Sequence, residues 1–375
     1  VKDIFARPTV GMLAEGLPRL EGETVAIAAP DPGYVALTPI ERQFLEDGSP
    51  FSRFHQAIAV EVPLGMTQER VRAALNDLIF HHDALRLRVV MRSPITDYND
   101  GIDVGGVTTK SAIEALSSTA RGPELLKGLG LWLDPPHTYQ LKLDILDISH
   151  LSPEAGAMEI QSAARDLPGK LDPVQGRMVA GVWIERSKAG ASSDRPLLLL
   201  AIHHLSVDGV SWRILLEDLE HATSGRILPT RTHSIRDWSD YLVKEASSPK
   251  RRDELATWKA VVSGAGLLPC DAQLSKEKNV IGAMRHYESS LASVEMERLF
   301  ASTSVYRTGI DDLLLTALGL ALYGWRRDYY GREDGALLVD LEGHGREVGE
   351  SGLDLSRTVG WFTSVYPVRL DFDGI

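Results

Sequence analysis

"AIHHLSVDGVSWRILLEDLE", Ala201 to Glu220, places two adjacent imidazoles ahead of an Asp-Gly pair. The residues leading into it, "RPLLLLA", have the continuous apolar character of a strand buried on both faces. After Gly209, "SWRILLEDLE" carries Trp212, Leu215, Leu216 and Leu219 at the spacing of one helix face. His203, His204 and Asp208 therefore fall in a strand-to-helix connection, where functional side chains are commonly presented.

Adjacent residues of an extended segment point to opposite sides, so one ring is expected in the core and the other at a site. Imidazole exchanges protons near neutral pH, Gly209 permits a tight turn, and Asp208 is placed to orient a ring or pair with an arginine. A metal reading starts from His204 and Asp208, four apart. It lacks further ligands, since the single cysteine, Cys270, stands alone in "LLPCDA".

Outward from this stretch, helices and strands alternate. "TPIERQFLED" reads as a helix, "HQAIAVEVP" as a strand, and "TQERVRAALNDLIFHH" as a helix with Thr67 as N-cap. "ALRLRVVM" alternates like a half-buried strand, and 92–140 is turn-rich with one or two short helices expected in "SAIEALSSTARGPELLKGLGL". Strand character returns in "YQLKLDILDI", "RMVAGVWIE" and "PLLLLAIHH", with a helix in "SPEAGAMEIQSAARDL" between the first two. Beyond Gly225 a second half begins, with a helix in "GIDDLLLTALGLALYGWRRDY" and strands in "GALLVDLEGHG" and "WFTSVYPVRLDF". Alternation throughout both halves argues an α/β architecture with two lobes.

A second polar constellation is "DLEGHGREVGE". Glu342 follows the strand "ALLVD", and Gly343 and Gly345 bracket His344, allowing unusual dihedrals and close approach of a ligand. No phosphate-loop lysine or dinucleotide fingerprint accompanies them. The pair in "HHDALR" ends a helix, where histidines favour the C-terminal dipole, and is read as structural.

The 375 residues carry a net charge of −12, which argues against nucleic acid as the main partner. One cysteine excludes an internal disulfide and fits a reducing cytoplasm. No apolar run reaches membrane-spanning length, and the N-terminus does not read as a signal peptide, so a cytoplasmic protein is expected.

"HHLSVDGVSWRILLEDL", "LEGHGRE" and "RTVGWFTSVYP" together resemble the epimerization domains of nonribosomal peptide synthetases, relatives of the condensation domains. "LTPIERQFL", "FHQAIAVE", "HHDALRLR", "ILDISHL" and "IDDLLLTAL" agree in the same order, so the resemblance covers most of 36–370. It implies two chloramphenicol-acetyltransferase-like lobes in a V-shaped pseudo-dimer, 36–228 and 229–375, the second incomplete. Residues 1–14, "VKDIFARPTVGMLA", are similar to the last helix of a peptidyl carrier domain, and 15–35 read as a linker.

The resemblance implies that His204 and Glu342 are the catalytic pair, facing each other across a tunnel between the lobes. The His204 ring would project into that tunnel and contribute little packing. His203, Asp208, Gly209 and Arg357 would support the pair, with Arg357 as ion-pair partner of Asp208. Trp212, Gly343, His344, Gly345, Trp361 and Tyr366 would line the tunnel. The implied reaction is L-to-D inversion at the α-carbon of an aminoacyl or peptidyl thioester. That substrate is delivered on the 4'-phosphopantetheine of an upstream carrier domain whose attachment serine is not in this chain. No metal, pyridoxal phosphate or other catalytic cofactor is implied, and the partners are the carrier and adjacent synthetase modules rather than nucleic acid or membrane. Two other readings are a condensation domain joining two carrier-bound substrates and a non-catalytic carrier-docking domain; "DGVSWRILLEDL" and the glutamate of "LEGHGRE" favour epimerization.

Overall fold

The computed structural model describes residues 28–46, 51–91, 129–186, 195–264, 275, 279–331, 336–349 and 351–372. The carrier-like segment 1–14 and the expected helices up to residue 128 lie outside them. In chain order the elements are β1 (Gly33–Val35), α1 (Pro39–Glu46), β2 (His55–Glu61), α2 (Gln68–His81), β3 (Leu87–Met91), β4 (Leu129–Leu133), β5 (Leu143–Asp147), α3 (Pro153–Asp166), β6 (Val179–Glu185) and β7 (Leu197–His203). There follow α4 (Gly209–Thr223), α5 (Ile235–Ala246), α6 (Pro249–Val262), α7 (Ser293–Tyr306), α8 (Ile310–Tyr330), β8 (Ala336–Gly343) and β9 (Ser364–Asp371). The mixed α/β class is as the sequence pattern implies. Among the described residues no helix is long and apolar enough to cross a membrane.

The chain forms two compact units, Val1–Leu242 with Arg346–Phe362, and Val243–Gly345 with Thr363–Ile375. Residues 229–242 and 346–362, expected in the second lobe, thus pack with the first. Ile235 and Trp238 of α5 drive this by burying their side chains in the larger core, together with Leu355, Val359, Trp361 and Phe362. The end of the expected linker is also structured, as β1 pairs antiparallel with β4 from Gly33↔Leu133 to Val35↔Leu131.

In the first unit, β1, β4 and β3 form one sheet and β2, β7, β6 and β5 another. The run "LLLLAI" is apolar throughout because β7 is covered on both faces, and its side chains sort strictly by alternation. Leu198, Leu200 and Ile202 enter the larger core, while Leu199 and Ala201 enter a smaller one with Ala180, Val182 and Ile184, packed against Ile160 and Ala163 of α3. On the larger side lie α2 and α4. Thr67 caps α2 by accepting from Arg70 N at 3.3 Å. The buried face of α4 is Ser211, Trp212, Leu215 and Asp218, and Leu216, expected on that face, is exposed.

The second unit is built around the antiparallel β8–β9 pair. Helix α8 comes close to β9 at Gly319, where a Cβ would fall 2.4 Å from Phe372 Cζ. Arg326, also on α8, is buried and donates to the Ala336 carbonyl at 3.3 Å.

Candidate active site

The strand register carries the two histidines to different fates. His203 is the last residue of β7, opposite His55 of β2, and His204 opens a short 3-10 turn. His203 is completely buried. Its Nε2 donates to the Phe51 carbonyl at 2.7 Å and its Nδ1 accepts from Leu205 N at 3.3 Å. That pattern specifies a neutral ring, and burial pushes its pKa down to about 4 despite the Phe51 hydrogen bond.

His204 is half-buried and held by rings. Phe54 stacks on it at a centroid distance of 4.7 Å and 9°, and Trp361 lies at 4.6 Å and 46° on the same ring. Phe44 of α1 backs both, stacked on Phe54 at 4.2 Å. Rather than packing little, the imidazole is the centre of an aromatic cluster drawn from three separate segments. Gln56 Nε2 stands 3.0 Å from His204 Nε2, and Gln56 Oε1 accepts from the Trp212 indole N–H at 2.8 Å. Trp212, placed by the resemblance along a tunnel, is nearly buried and has its N–H engaged by Gln56.

Asp208 ties the first unit together. Its Oδ1 caps α4 by accepting from Ser211 N and Oγ, each at 2.7 Å, and its Oδ2 accepts from Phe362 N at 3.2 Å. Ser211 Oγ in turn accepts from Gly360 N at 3.1 Å. The charge partner is Arg346, whose Nη2 lies 3.1 and 3.2 Å from the two carboxylate oxygens. Arg346 also donates to the Leu355 and Thr358 carbonyls and lies 3.9 Å over the Phe362 ring. The expected partner, Arg357, is elsewhere: it donates to Glu217 and Asp218 on α4. Asp208 precedes the first turn of α4 and Asp218 lies nearly three turns on, so a guanidinium that reaches Asp218 is too far along the helix to serve Asp208. The arginine of "EGHGRE" was the available signal.

Asp218 is itself buried and accepts from His82 Nε2 at 2.9 Å. Burial favours its neutral form, but His82 and Arg357 outweigh that and hold its pKa below the usual carboxylate value. His81, His82 and Asp218 form a group close enough to hold a metal ion among the described residues. Arg231 and Arg357 oppose positive charge there: burial, then His82, then these two push the His81 pKa down to about 4. The arrangement serves to lock α2, α4 and the 346–362 segment.

Of the remaining expected residues, all but Gly209 lie in the second unit. Glu342 is inside β8, which runs through it to Gly343 instead of ending at Asp340 as expected, and it faces Val365 across the pair. Its side chain is exposed, as is that of His344. Gly343 sits opposite Ser364, whose Oγ a Cβ would meet at 2.8 Å, and Tyr366 pairs with Leu341. Gly345 has φ +65, a left-handed conformation that favours glycine just beyond the end of the strand. Gly209 opens α4 with no neighbour crowding its Cα.

Comparison with known proteins places these features. Residues 132–374 match the Condensation domain family. A linear gramicidin synthase polypeptide of Brevibacillus parabrevis is 34% identical over 91% of this chain, and surfactin synthase subunit 1 of Bacillus subtilis (strain 168) is 34% identical over 99%. The chain spans only 4% and 9% of those relatives' lengths. Among solved structures, the epimerization domain from the third module of tyrocidine synthetase B is 29% identical with a TM-score of 0.69, over 92% of this chain and 69% of that one. A condensation domain structure from the enacyloxin polyketide synthase shares the fold at 16% identity and a TM-score of 0.61, over 99% of this chain and 63% of that one. The chain belongs to the condensation domain family.

Proposed function

We propose that this domain epimerizes the α-carbon, L to D, of an aminoacyl or peptidyl thioester carried on the phosphopantetheine arm of a neighbouring carrier domain in a nonribosomal peptide synthetase. The observation that carries this reading is the likeness to the tyrocidine synthetase epimerization domain at 29% identity, against 16% for the condensation domain of like fold. The run "DGVSWRILLEDL" and the glutamate of "EGHGRE" support it from the sequence side.

A thioester acidifies its α-hydrogen. Inversion needs that proton removed from one face of Cα, the enolate oxygen stabilised, and a proton returned to the other face. His204 and Glu342 are the two proton-handling groups in this proposal, an assignment that rests on the motif resemblance. The aromatic clamp on His204 supports it, because a ring held between Phe54 and Trp361 keeps one orientation. Asp208 and Arg346 act on framework, fixing the start of α4 and the Gly360–Phe362 segment that brings Trp361 to His204. Neither metal nor pyridoxal phosphate is required by this chemistry.

The test is incubation of the chain with a carrier domain charged with an L-aminoacyl group, followed by hydrolysis and chiral analysis. A mixture of L and D residues is expected. Retention of the L form together with peptide-bond formation to a second charged carrier would establish condensation instead.

A further inference from the structure

We propose that Gln56, anchored by Trp212, is a positioning residue that holds His204 in its neutral form with the proton on Nδ1 and the lone pair on Nε2. The argument is one of donors and acceptors. An indole N–H can only donate, so the Gln56 atom 2.8 Å from Trp212 Nε1 is the amide oxygen. This settles which way the amide lies, and its NH2 is then directed at His204 Nε2, 3.0 Å away. An amide nitrogen has no lone pair to offer, so Nε2 must be the acceptor. Both hydrogen bonds of the Trp212–Gln56–His204 chain are made in this one arrangement.

The alternatives fail in turn. A hydrogen on Nε2, in the other tautomer or in the imidazolium, would set donor against donor at Gln56. Turning the amide over would cure that contact and leave the Trp212 N–H facing an NH2 group. The indole is well placed to enforce the choice, because Trp212 is 9% exposed and fixed on the buried face of α4. Gln56, at the second position of β2, is held by the ladder that pairs it with Ile202. Neutral His204 thus begins as a proton acceptor at Nε2, with the Gln56 N–H giving way as the proton arrives. This catalytic consequence rests on the reading of His204 proposed above, whereas the tautomer itself does not.

The experiment uses the full chain with 15N-labelled histidine, free of substrate, with the His204 signals assigned by their loss in His204→Ala. At neutral pH the wild type is expected to show an unprotonated Nε2 and a protonated Nδ1. Gln56→Glu keeps an oxygen for Trp212 and replaces the amide donor with an acceptor, so Nε2 should become protonated. Trp212→Phe frees the amide to turn over and should give a mixture of the two forms. Substrate α-hydrogen exchange in Gln56→Glu should fall in kcat by about tenfold or more with KM within about twofold, as expected for lost positioning rather than lost binding. Thermal melts identify a variant that fails to fold, and either variant alone decides the matter. A protonated Nε2 in the wild type, or an Nε2 signal unmoved in a folded variant, would overturn the proposal. An NMR pattern as described in a chain that leaves the L-thioester untouched would support the relay and defeat the epimerase reading.

Discussion

Removing the Asp208 carboxylate should be among the most damaging single changes to the first unit. The Asp208 and Arg346 side chains are 6% and 9% exposed, so Asp208→Ala strands a guanidinium away from water. Breaking one side of such a pair costs about 3–5 kcal/mol. Loss of the α4 cap adds about 1 kcal/mol, and the orphaned Phe362 N–H about as much again. Arg346 keeps its bonds to Leu355 and Thr358 and its place over Phe362, which holds the total near the lower end, about 5 kcal/mol. Urea unfolding followed by tryptophan fluorescence would measure it. Asp208→Asn preserves the cap, and Arg346→Met preserves the stem over the ring; each alone should cost about 2–3 kcal/mol. The double variant should cost at least about 2 kcal/mol less than their sum. Additivity within about 0.5 kcal/mol would refute the hub.

His203→Ala should lower stability by about 2–4 kcal/mol, since it empties core space, removes one of the two hydrogen bonds to the Phe51 carbonyl and takes away the acceptor of the Leu205 N–H, as thermal melts would show. His204→Ala should cost only about 1–2 kcal/mol through lost ring stacking while reducing turnover by about a hundredfold or more; a normal rate in single-turnover assays would end its catalytic role. His203 also makes the fold acid-sensitive: its folded pKa, about 4, lies below the unfolded value, so between pH ~6.5 and 4 the unfolded chain takes up a proton that the folded ring refuses. Stability should therefore fall on acidification through that window and level off below it. His203→Gln should melt with a shallower dependence, and an unchanged slope would reject the assignment. Exhaustive chelation should leave inversion intact, because neither proposed proton-handling group needs a metal; loss of activity restored by one equivalent of metal would overturn this.

Much of the first unit was legible because its signals are local. The unbroken apolar run before His203 reported a strand covered on both faces, and alternation alone separated the buried ring from the half-buried one. Thr67 was visible as a cap because capping needs a short side chain with an acceptor oxygen at one position. What could not be read were partnerships made over long separations. Arg346 lies 138 residues from Asp208, and Arg357 lies at nearly the same distance from its own partners on α4. Charge complementarity alone does not choose between them; the choice is made by which part of α4 each segment reaches. Gln56 escaped for the same reason, since a glutamine in a strand carries no signature of the indole and imidazole it joins. The unit boundary was misjudged because 346–362 leaves the first unit in sequence and returns to it through Asp208 and the core.

Proton exchange at the α-carbon, with Glu342 and His204 as its proposed agents, is tested by solvent deuterium. The chain and a carrier bearing an L-aminoacyl thioester are mixed in D2O, and the released amino acid is examined by mass spectrometry. Wild type should place one deuterium at Cα and yield the D form, while Glu342→Gln, folded normally, should reduce that incorporation by about a hundredfold or more. Absence of deuterium with the wild type would exclude α-proton exchange, and full incorporation with Glu342→Gln would remove Glu342 from it.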